Sequence, residues 1–567
     1  MAAWNRLAPE ALEMKQNTDT MRWAIKKIRR RVSAILFLTL VSIFSAVFGV
    51  LFALGTKGVI DAAMAGDQSD FIRACVKQAA VIVGILTCSI LDRHLRERIH
   101  ANLDKDWKKD LLHGILHSDY IAASSYHSGE LINRLNNDVR ILDDGIVNLL
   151  PNLCSMVTRL VVAFTVLTSL TPMFAVLLLG AGFAVILVTA VLRRKLKQLH
   201  KRVSEADGKV SSILQETLEK LLIVQAMDIS HEMERRVGVK LENRFDLYRK
   251  RKNLSLAANS CVSIMFFVAG FSALVWCSAG ILSGAITFGT LTAVTQLVNQ
   301  LQGPIVGLSG LLPQYISMTA AAERLQELDL LPSTADYRQE DPKELYSRMT
   351  GISAENVCFA YDRDIILDHA SFSLEKGRFF AVTGPSGTGK STLLKLMLGV
   401  YTPNDGNIFV ETDNERIPLD RSTRRLFAYV PQGNLLFSGT IRENLLVIKP
   451  DATEEEINKA VFASAMDLYL AQLPNGLDTM LGEDGAGLSE GQAQRLAIAR
   501  AVLGGAPILL LDECTSALDV GTEALVLERL RGLENKTCVA VTHRPAAEHI
   551  CDGQVQMESG KIHMKLL

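Results

Sequence analysis

Apolar and polar positions divide the chain into two parts with different periodicities. Before about residue 320, six stretches each hold about 20 mostly apolar residues, the length that a helix needs to cross the ~30 Å hydrocarbon core of a bilayer. After about residue 350, the apolar runs shorten to strand length and alternate with glycine turns and mixed charges. The pattern predicts an α-helical six-span transmembrane domain followed by an α/β domain, with spans near 32–54, 71–91, 146–169, 173–192, 256–282 and 286–312.

The loops between the predicted spans are long on one side of the membrane only. Residues 92–145 and 193–253 are charged, and their segments 95–116 and 203–227 carry apolar residues at helical spacing. Helices of about 25–30 residues extend on the order of 40 Å from the bilayer. We interpret the two long loops as cytoplasmic helical stalks that transmit force between the α/β domain and the spans.

Basic residues predict the orientation of the chain. Lys26, Lys27 and residues 29–31 directly precede the first span, and basic residues favour the cytoplasmic side. An even number of spans returns the α/β domain to that side, so both termini are expected in the cytoplasm. Residues 1–20 are charged, lack the apolar core of a secretory signal and are too few for a peptidase domain. We expect a multi-pass protein of a bacterial inner (plasma) membrane.

Composition argues against two other classes of function. The formal net charge is −1, whereas nucleic-acid binding needs a clustered basic excess. The nine cysteines form no C-x-x-C pair and no metal-type spacing, so we interpret them as reduced thiols in apolar surroundings.

A phosphate-binding loop is predicted in the α/β domain. A short apolar strand, Phe379–Thr383, runs into the pattern G-x-x-x-x-G-K-[ST], which opens a helix over 390–399. Backbone N–H groups of such a loop face phosphate oxygens, Lys390 is expected to reach the β- and γ-phosphates of ATP, and the Ser391 hydroxyl to bind Mg²⁺. The predicted ATP-binding loop comprises Gly384, Pro385, Ser386, Gly387, Thr388, Gly389, Lys390, Ser391 and Thr392.

Acidic residues and a histidine follow two further predicted strands. The apolar run 508–511 ends at Asp512, the expected second Mg²⁺ anchor, and at Glu513, which can polarise an attacking water. Residues 538–541 form another apolar run, and His543 is the second residue after it. We interpret His543 as a sensor of the γ-phosphate.

The segment LSEGQ at 488–492, about 20 residues before Asp512, resembles the signature motif of the ATP-binding cassette (ABC) transporter family. The resemblance extends from about residue 30 to 555 and includes the exporter-like segments 128–138, 215–226, 322–325, 436–444, 482–485 and 516–519. It implies a nucleotide-binding domain over 351–567, a linker over 326–350, a transmembrane domain over 32–325 and a cytoplasmic N-terminal segment over 1–31.

The resemblance also implies roles for single residues. Tyr361 would stack on adenine, and Gln432 would bind Mg²⁺ and link it to the membrane domain. Two chains would pair, with each ATP between one P-loop and the partner's signature residues Ser489, Gly491 and Gln492, while Asp519 lies in the loop that crosses the interface. An identical partner is favoured, and a different half transporter is the alternative, because Glu490 stands where the family has a glycine and adds a negative charge near phosphate.

Few polar residues lie within the predicted spans. Arg159 either snorkels to the interface or contacts an anionic group of a substrate. Gln296, Asn299 and Gln300 share one helix face, where they either bond to neighbouring helices or line a translocation cavity.

The function predicted from these features is ATP-driven export of a hydrophobic or amphipathic substrate, either a lipid, a drug or a peptide, from a dimer embedded in membrane lipid. Glu513, His543, Gln432 and Lys390 are the expected catalytic residues. An importer of the same fold, for example for a metal chelate, shares every motif, and an ATP-gated channel or regulator is a third reading that the presence of both Glu513 and His543 disfavours.

Overall fold

A computed structural model describes residues 19–567 apart from 333–340, 362–363, 434–435, 483–484, 534, 543 and 545–549, and apart from the side chains of 173–194, 197, 309 and 312. The chain forms two compact units. One is helical, continues to His113 and resumes over Ser128–Asp329; the other combines Gly114–His127 with Leu330–Leu567 and contains the β-sheets. The fold class predicted from the sequence is confirmed.

Long helices build the first unit. Its principal elements are α1 (Val32–Ala65), α2 (Gln68–Leu116), α4 (Ser128–Asn133), α5 (Val139–Leu170), α6 (Pro172–Glu219), α7 (Leu221–Ala226), α8 (Ser230–Leu282) and α9 (Phe288–Asp329); α3 (Tyr120–Ser124) belongs to the second unit. Among the described residues, five helical stretches are long and apolar enough to cross a membrane. They contain the predicted spans other than 173–192, except that the helix of the last span begins at Phe288 and not at residue 286. The side chains of that fourth span lie outside the description.

Apolar side chains of these helices point outward as well as inward. The most apolar stretch of α2 has no buried residue, and Phe267 and Leu282 on α8 are 79% and 90% exposed. Between the helices, a core of buried apolar residues that includes Val50, Leu167 and Leu297 joins α1, α5 and α9. Such outward-facing apolar surface suits lipid, where every backbone group must be satisfied within the helix.

The second predicted stalk differs from the sequence expectation in one respect. The run 203–227 was expected to be one helix, but α6 ends at Glu219 and the separate turn α7 follows. Lys220 between them has φ −103° and ψ 23°, which lies outside the helical region.

A π-helical turn over Arg134–Asp138 leads into α5 and is fixed by ion pairs to the end of α9. The Arg134 guanidinium donates to a carboxylate oxygen of Glu327 at 2.9 Å, and Arg324 donates to Asp138 at 2.6 Å. Arg134 and Asp138 are almost completely buried, so these pairs hold the two helix ends in one arrangement.

The second unit is an α/β domain. Its strands are β1 (Met349–Tyr361), β2 (Asp364–Glu375), β3 (Phe379–Thr383), β4 (Asp405–Thr412), β5 (Arg416–Pro418), β6 (Phe427–Val430), β7 (Gly439–Thr440), β8 (Met480–Leu481), β9 (Ile508–Asp512), β10 (Thr537–Val541), β11 (Gly553–Glu558) and β12 (Lys561–Leu566). Its helices are α10 (Pro342–Arg348), α11 (Lys390–Met397), α12 (Ile441–Leu446), α13 (Glu454–Ala463), α14 (Asp467–Leu470), α15 (Glu490–Leu503) and α16 (Val520–Arg531).

Two main sheets build this unit. The six-stranded sheet has the order β12-β11-β3-β10-β9-β6 and is parallel except for the β11–β12 pair. The antiparallel sheet has the order β2-β1-β4-β5. Every residue of β3, β9 and β10 is buried, as the continuous apolar runs in the sequence predict for strands covered on both faces. The carboxyl ends of β3, β9 and β10 therefore lie side by side.

The segment Gly114–His127 packs against this α/β domain. Asp119 caps α3 by accepting from the N–H groups of Ile121 and Ala122, and its own N–H donates to the Pro332 carbonyl at 2.9 Å. The Tyr120 ring lies 6.1 Å from the Tyr401 ring, beside a cleft of about 350 Å³.

Candidate nucleotide-binding site

The predicted phosphate-binding loop connects β3 to α11, and two of its glycines are required by their surroundings. Gly389 has φ +91°, and a Cβ there would lie 2.2 Å from Cγ2 of Ile366. Gly384 has φ +147°, and a Cβ there would lie 2.4 Å from the Met557 carbonyl oxygen. The loop backbone can curl this closely because no side chain occupies these positions.

Lys390 begins α11 and bends back over the loop. Its Nζ donates to the carbonyl oxygens of Gly384 and Pro385, both at 2.9 Å. Burial lowers the pKa of Lys390 below its ordinary value, while the charges of Glu513 and Asp512 oppose that shift. The ammonium group is thus held at the mouth of the loop, beside the N–H groups at the start of α11.

Ser391 and Asp512 form a second part of the site. The Ser391 hydroxyl donates to Oδ1 of Asp512 at 2.9 Å, and the Tyr429 hydroxyl donates to Oδ2 at 3.0 Å. Asp512 is 1% exposed, and burial raises the pKa of its carboxyl above 3.8 although both hydrogen bonds act in the opposite direction. Tyr429 was not anticipated, because a tyrosine within a strand is an ordinary β-former.

Glu513 follows Asp512 in a strained backbone conformation. Its φ is +49°, in the left-handed region that residues with a Cβ avoid, and its N–H donates to the Val541 carbonyl at 3.2 Å. One of its carboxylate oxygens accepts from Nε2 of Gln432 at 2.7 Å. Strain of this kind is typical of functional positions.

Tyr361, the expected adenine platform, ends β1 close to the loop. Its hydroxyl lies 3.2 Å from Oγ1 of Thr392, and the edge-to-face contact with Tyr401 has a centroid distance of 5.6 Å. The side chain is 39% exposed, which leaves ring surface open for a planar ligand.

The LSEGQ segment forms the start of α15. Ser489 caps the helix: its hydroxyl accepts from the N–H of Gln492 at 3.3 Å, and its N–H donates to the Gln492 side chain at 2.8 Å. Gly491 packs on the loop that follows β9, since a Cβ there would lie 2.9 Å from the Ala517 carbonyl oxygen. Glu490 is exposed in the first turn, where a carboxylate is favoured by the helix dipole.

Further residues that the sequence did not single out hold the loop after β9. Gln494 donates to the Ser516 hydroxyl and accepts from the Ala517 N–H, both at 3.1 Å. Arg544 donates to the Leu518 carbonyl at 2.7 Å and to the buried carboxylate of Glu523 at 3.2 Å. Hydrogen bonds of Gln494 therefore connect α15 to this loop. Neither Gln494 nor Arg544 belongs to a sequence motif that would have predicted these contacts.

Asp519 lies at the end of the same loop and caps α16, because its Oδ1 accepts from the Thr522 N–H at 3.0 Å. His543 lies outside the described residues, as do residues 483–484 of the exporter-like segment 482–485.

The polar candidates of the transmembrane helices lie in mixed surroundings. Gln300 donates to the Gly49 carbonyl at 2.9 Å, whereas Asn299 is exposed. Among the described residues, three buried polar atoms of these side chains have no hydrogen-bond partner: Nε of Arg159, Oε1 of Gln296 and Oε1 of Gln300.

The site as a whole combines three kinds of group at the carboxyl edge of β3 and β9. Lys390 and the start of α11 supply positive charge, Ser391 and Asp512 supply hard oxygen ligands, and Glu513 supplies a carboxylate. This set suits a nucleoside triphosphate with a divalent cation and an activated water.

Comparison with known proteins agrees with this chemistry. The chain matches the ABC transporter transmembrane region over residues 35–305 and the ABC transporter domain over residues 367–516. It is 30% identical over 475 residues to the ATP-dependent lipid A-core flippase of Desulfotalea psychrophila, a match that covers 82% of each chain. The chain belongs to the ABC transporter family.

Two further comparisons, one of sequence and one of fold, cover more of the chain. This ABC transporter is 29% identical over 499 residues to an uncharacterized ABC transporter ATP-binding protein of Bacillus subtilis, covering 85% of this chain and 84% of the relative. Its fold matches the structure of a bacterial Atm1-family ABC exporter with ATP bound, with a TM-score of 0.78, 23% identity and 95% of both chains covered.

Membership of the ABC transporter family shows that the protein is an ATPase. This ABC transporter binds and hydrolyses ATP through a domain that contains the P-loop, the LSEGQ segment and the Asp512–Glu513 pair, all of which lie within the matched residues 367–516. The predicted family and ATPase activity are confirmed.

Proposed function

We propose that this ABC transporter exports a hydrophobic or amphipathic substrate across a bacterial inner membrane, as a dimer of half transporters with both termini in the cytoplasm. The observation that carries the proposal is the cluster of Lys390, Ser391, Asp512 and Glu513 on a chain whose other unit holds long apolar helices. Hydrolysis at such a cluster releases energy that the membrane helices can use.

The residues present fit a magnesium ion bound together with ATP. The Ser391 hydroxyl and the Asp512 carboxylate lie 2.9 Å apart and are hard oxygen ligands, and Gln432 offers an amide oxygen on the same side of the sheet. These residues would hold Mg²⁺, which would neutralise charge on the β- and γ-phosphates.

The side chains of this protein perform the remaining steps. Lys390 moves from the carbonyl oxygens of its own loop to the phosphates, while Tyr361 stacks on the base. Glu513 accepts a hydrogen bond from the attacking water, and its carboxylate has acceptor sites for that water besides the oxygen that accepts from Gln432. His543 acts on the γ-phosphate.

A second chain completes the site in this proposal. Ser489 and Gly491 of one subunit approach the γ-phosphate held by the P-loop of the other, because the start of α15 presents N–H groups and the positive end of a helix dipole. An identical subunit is the simplest partner. A different half transporter is the alternative, favoured by the extra negative charge of Glu490.

Coupling to the membrane is supported by the segment Gly114–His127. This segment is part of the predicted first stalk 92–145; it belongs to the compact α/β unit and contacts Tyr401, which in turn contacts Tyr361, the expected adenine platform. Closure of the two subunits around ATP would therefore move this segment and, because it continues α2 along the chain, would pull on that helix.

The polar groups of the transmembrane helices support an amphipathic substrate. Within the described part of the chain, Nε of Arg159 and the Oε1 atoms of Gln296 and Gln300 are buried without a hydrogen-bond partner. A ligand with both apolar and polar parts that displaces the side chains around them would satisfy these atoms. A lipid, drug or peptide meets this description, and the relation to a lipid A-core flippase favours a lipid.

The proposal is tested with the Glu513→Gln variant in purified and reconstituted form. We expect it to bind ATP normally and to hydrolyse it at least about 100-fold more slowly, because the group that orients water is lost. Substrate trapped by this variant would be identified by mass spectrometry of copurifying molecules, and each candidate would then be tested for stimulation of ATP hydrolysis in the parent protein.

The matched control is Glu455→Gln, an exposed glutamate of α13 that is paired with Lys459. It should hydrolyse ATP at the parent rate. Transport of the identified compound into inside-out vesicles would establish export, whereas uptake in the opposite direction, or a steady ATP-dependent ion current, would contradict it.

A further inference from the structure

A group of metal-ligating side chains lies on the antiparallel sheet, outside the nucleotide site. One donor atom from each of Cys358, Asp368 and His369 lies within 4.8 Å of the other two. Cys358 is in β1 and the other two residues are in β2, so adjacent strands bring the donors together. No sequence spacing indicated this group, because the cysteine and the histidine are separated by a hairpin.

The distance between two of the donors matches a zinc site. Sγ of Cys358 lies 3.6 Å from Nδ1 of His369. Bonds of about 2.3 Å from zinc to sulfur and about 2.05 Å from zinc to nitrogen, at a tetrahedral angle of about 109°, place the two donors about 3.5 Å apart. The two side chains can therefore bind one ion without changing their separation.

A β-bulge aims these side chains at one another. The strand register passes from Val357 opposite Ala370 to Phe359 opposite Leu367, so Cys358 faces two residues of β2 rather than one. His369 in the bulge has φ +50°, a conformation that a residue with a Cβ rarely adopts. Bulges re-aim side chains in this way and are frequent near functional sites.

One of the surrounding hydrogen bonds suits a metal-bound thiolate, whereas the weak contact in which the Cys358 thiol donates to the Asn356 carbonyl at 3.8 Å would be lost on metal binding. The His369 N–H donates to Sγ of Cys358 at 3.3 Å, which stabilises negative charge on sulfur. The Asp368 N–H donates to the Gly560 carbonyl at 2.9 Å and fixes the bulge to the β11–β12 turn. The Asp368 carboxylate lies 3.9 Å from Nε2 of His369, too far for a hydrogen bond, and one of its oxygens belongs to the group of donor atoms within 4.8 Å of one another.

We propose that Cys358, Asp368 and His369 bind one zinc ion per chain at a site distinct from the magnesium–ATP site. Thiolate and imidazole ligands select zinc over magnesium, which prefers oxygen ligands alone. Asp368 and His369 are exposed, so water completes the tetrahedron.

The site is close to the nucleotide along the chain. Ile366, two residues before Asp368, packs on Gly389 of the P-loop, and Tyr361 follows Cys358 by three residues. A zinc ion would fasten β1 to β2 next to these two positions, on the side away from the hairpin turn.

The first test is a zinc titration of the full-length protein in detergent, against a chromophoric chelator and with millimolar Mg²⁺ present. We expect the parent protein to bind one zinc equivalent more than Cys358→Ser or His369→Asn, or to bind that equivalent at least about tenfold more tightly. Cys261→Ser and His231→Asn, which change an exposed cysteine and an exposed histidine on α8, should bind as the parent does. Equal stoichiometry and affinity in parent, Cys358→Ser and His369→Asn would overturn the proposal.

A second test uses only the parent protein, so its result does not depend on whether a substituted protein folds. Alkylation of individual cysteines in the parent protein is followed by peptide mass spectrometry, with and without one equivalent of Zn²⁺. We expect zinc to slow alkylation of Cys358 at least about tenfold while leaving Cys261 unchanged, because a metal-bound thiolate is a poor nucleophile. An unchanged rate at Cys358 would overturn the proposal, as would equal slowing at both cysteines.

Discussion

Two groups of polar side chains, one at the nucleotide site and one on the predicted third and sixth spans, differ in their hydrogen bonding. At the nucleotide site, Ser391 is hydrogen-bonded to Asp512 and Gln432 to Glu513. In the helical unit, among the described residues, buried atoms of Arg159, Gln296 and Gln300 have no partner. The first arrangement is pre-organised for one reaction. The second leaves single buried polar atoms without a partner, which costs free energy unless another group satisfies them.

At the nucleotide site, we expect Lys390→Ala to have the largest effect on the rate of ATP hydrolysis. The substitution removes a positive charge that is already positioned at the mouth of the loop, and loss of one such group typically slows catalysis by about 100–1,000-fold. Phosphate release by the purified protein measures the effect, and transport by reconstituted protein should fall in parallel. Lys459→Ala on the exposed face of α13 serves as control. Transport at the parent rate in Lys390→Ala would contradict the role of the loop.

A smaller effect is expected at the adenine platform. Tyr361→Ala should raise the apparent KM for ATP about tenfold, because stacking of a base on an aromatic ring contributes about 1–3 kcal/mol. Tyr361→Phe keeps the ring and loses only the hydroxyl contact with Thr392, so its KM should stay within about twofold of the parent. If both variants behave alike, the ring is not the group that binds the base.

Asp512→Asn tests whether the buried carboxylate of the site lowers the free energy of unfolding. Burial raises the folded-state pKa of Asp512 above 3.8, so the folded protein holds this proton more tightly than the unfolded chain does. That contribution favours the fold below about pH 3.8 and is lost as the pH rises through the raised pKa. At neutral pH the ionised carboxylate therefore opposes folding.

We expect Asp512→Asn to stabilise the nucleotide-free protein at pH 7, because it removes a buried charge, while ATP hydrolysis is lost. Thermal unfolding followed by tryptophan fluorescence or calorimetry measures the first effect. A lower unfolding temperature in the variant at pH 7 would show that the two hydrogen bonds outweigh burial.

The smallest effect is expected in the helical unit. Gln296→Leu should raise the free energy of unfolding by about 1 kcal/mol, because it removes a buried oxygen without a partner. Asn299→Leu, three residues away and exposed, should change it by less than about 0.5 kcal/mol. Thermal unfolding in detergent compares the two variants. A destabilised Gln296→Leu protein would indicate that this side chain bonds within the fold instead of awaiting a ligand.

The sequence predicted the α/β unit well because its motifs and its apolar runs point to the same residues. The strand Phe379–Thr383 is confirmed with the predicted limits, and Asp512 lies at the tip of its strand as expected. The contacts of Tyr429 and Gln494 could not be predicted, since they join residues far apart in the sequence and follow no periodic pattern. Those contacts depend on the packing of several elements at once.

In the helical unit, periodicity located the apolar helices but not their environments. Asn299 and Gln300 are neighbours in sequence and were assigned to one face with Gln296, yet Asn299 is exposed and Gln300 reaches the backbone of α1. Helical spacing gives the direction of a side chain, whereas the neighbouring helix decides what it contacts. The roles of these residues in substrate binding stay predictions.

The left-handed backbone of Glu513 has a consequence for protein engineering. A residue without a Cβ, or an asparagine, would relieve the local strain by on the order of 1 kcal/mol. A library screened only for heat resistance would therefore enrich replacements at this position, and the selected proteins would be thermostable but would not hydrolyse ATP. Any directed-evolution campaign on this transporter should hold codon 513 constant or select for turnover in every round.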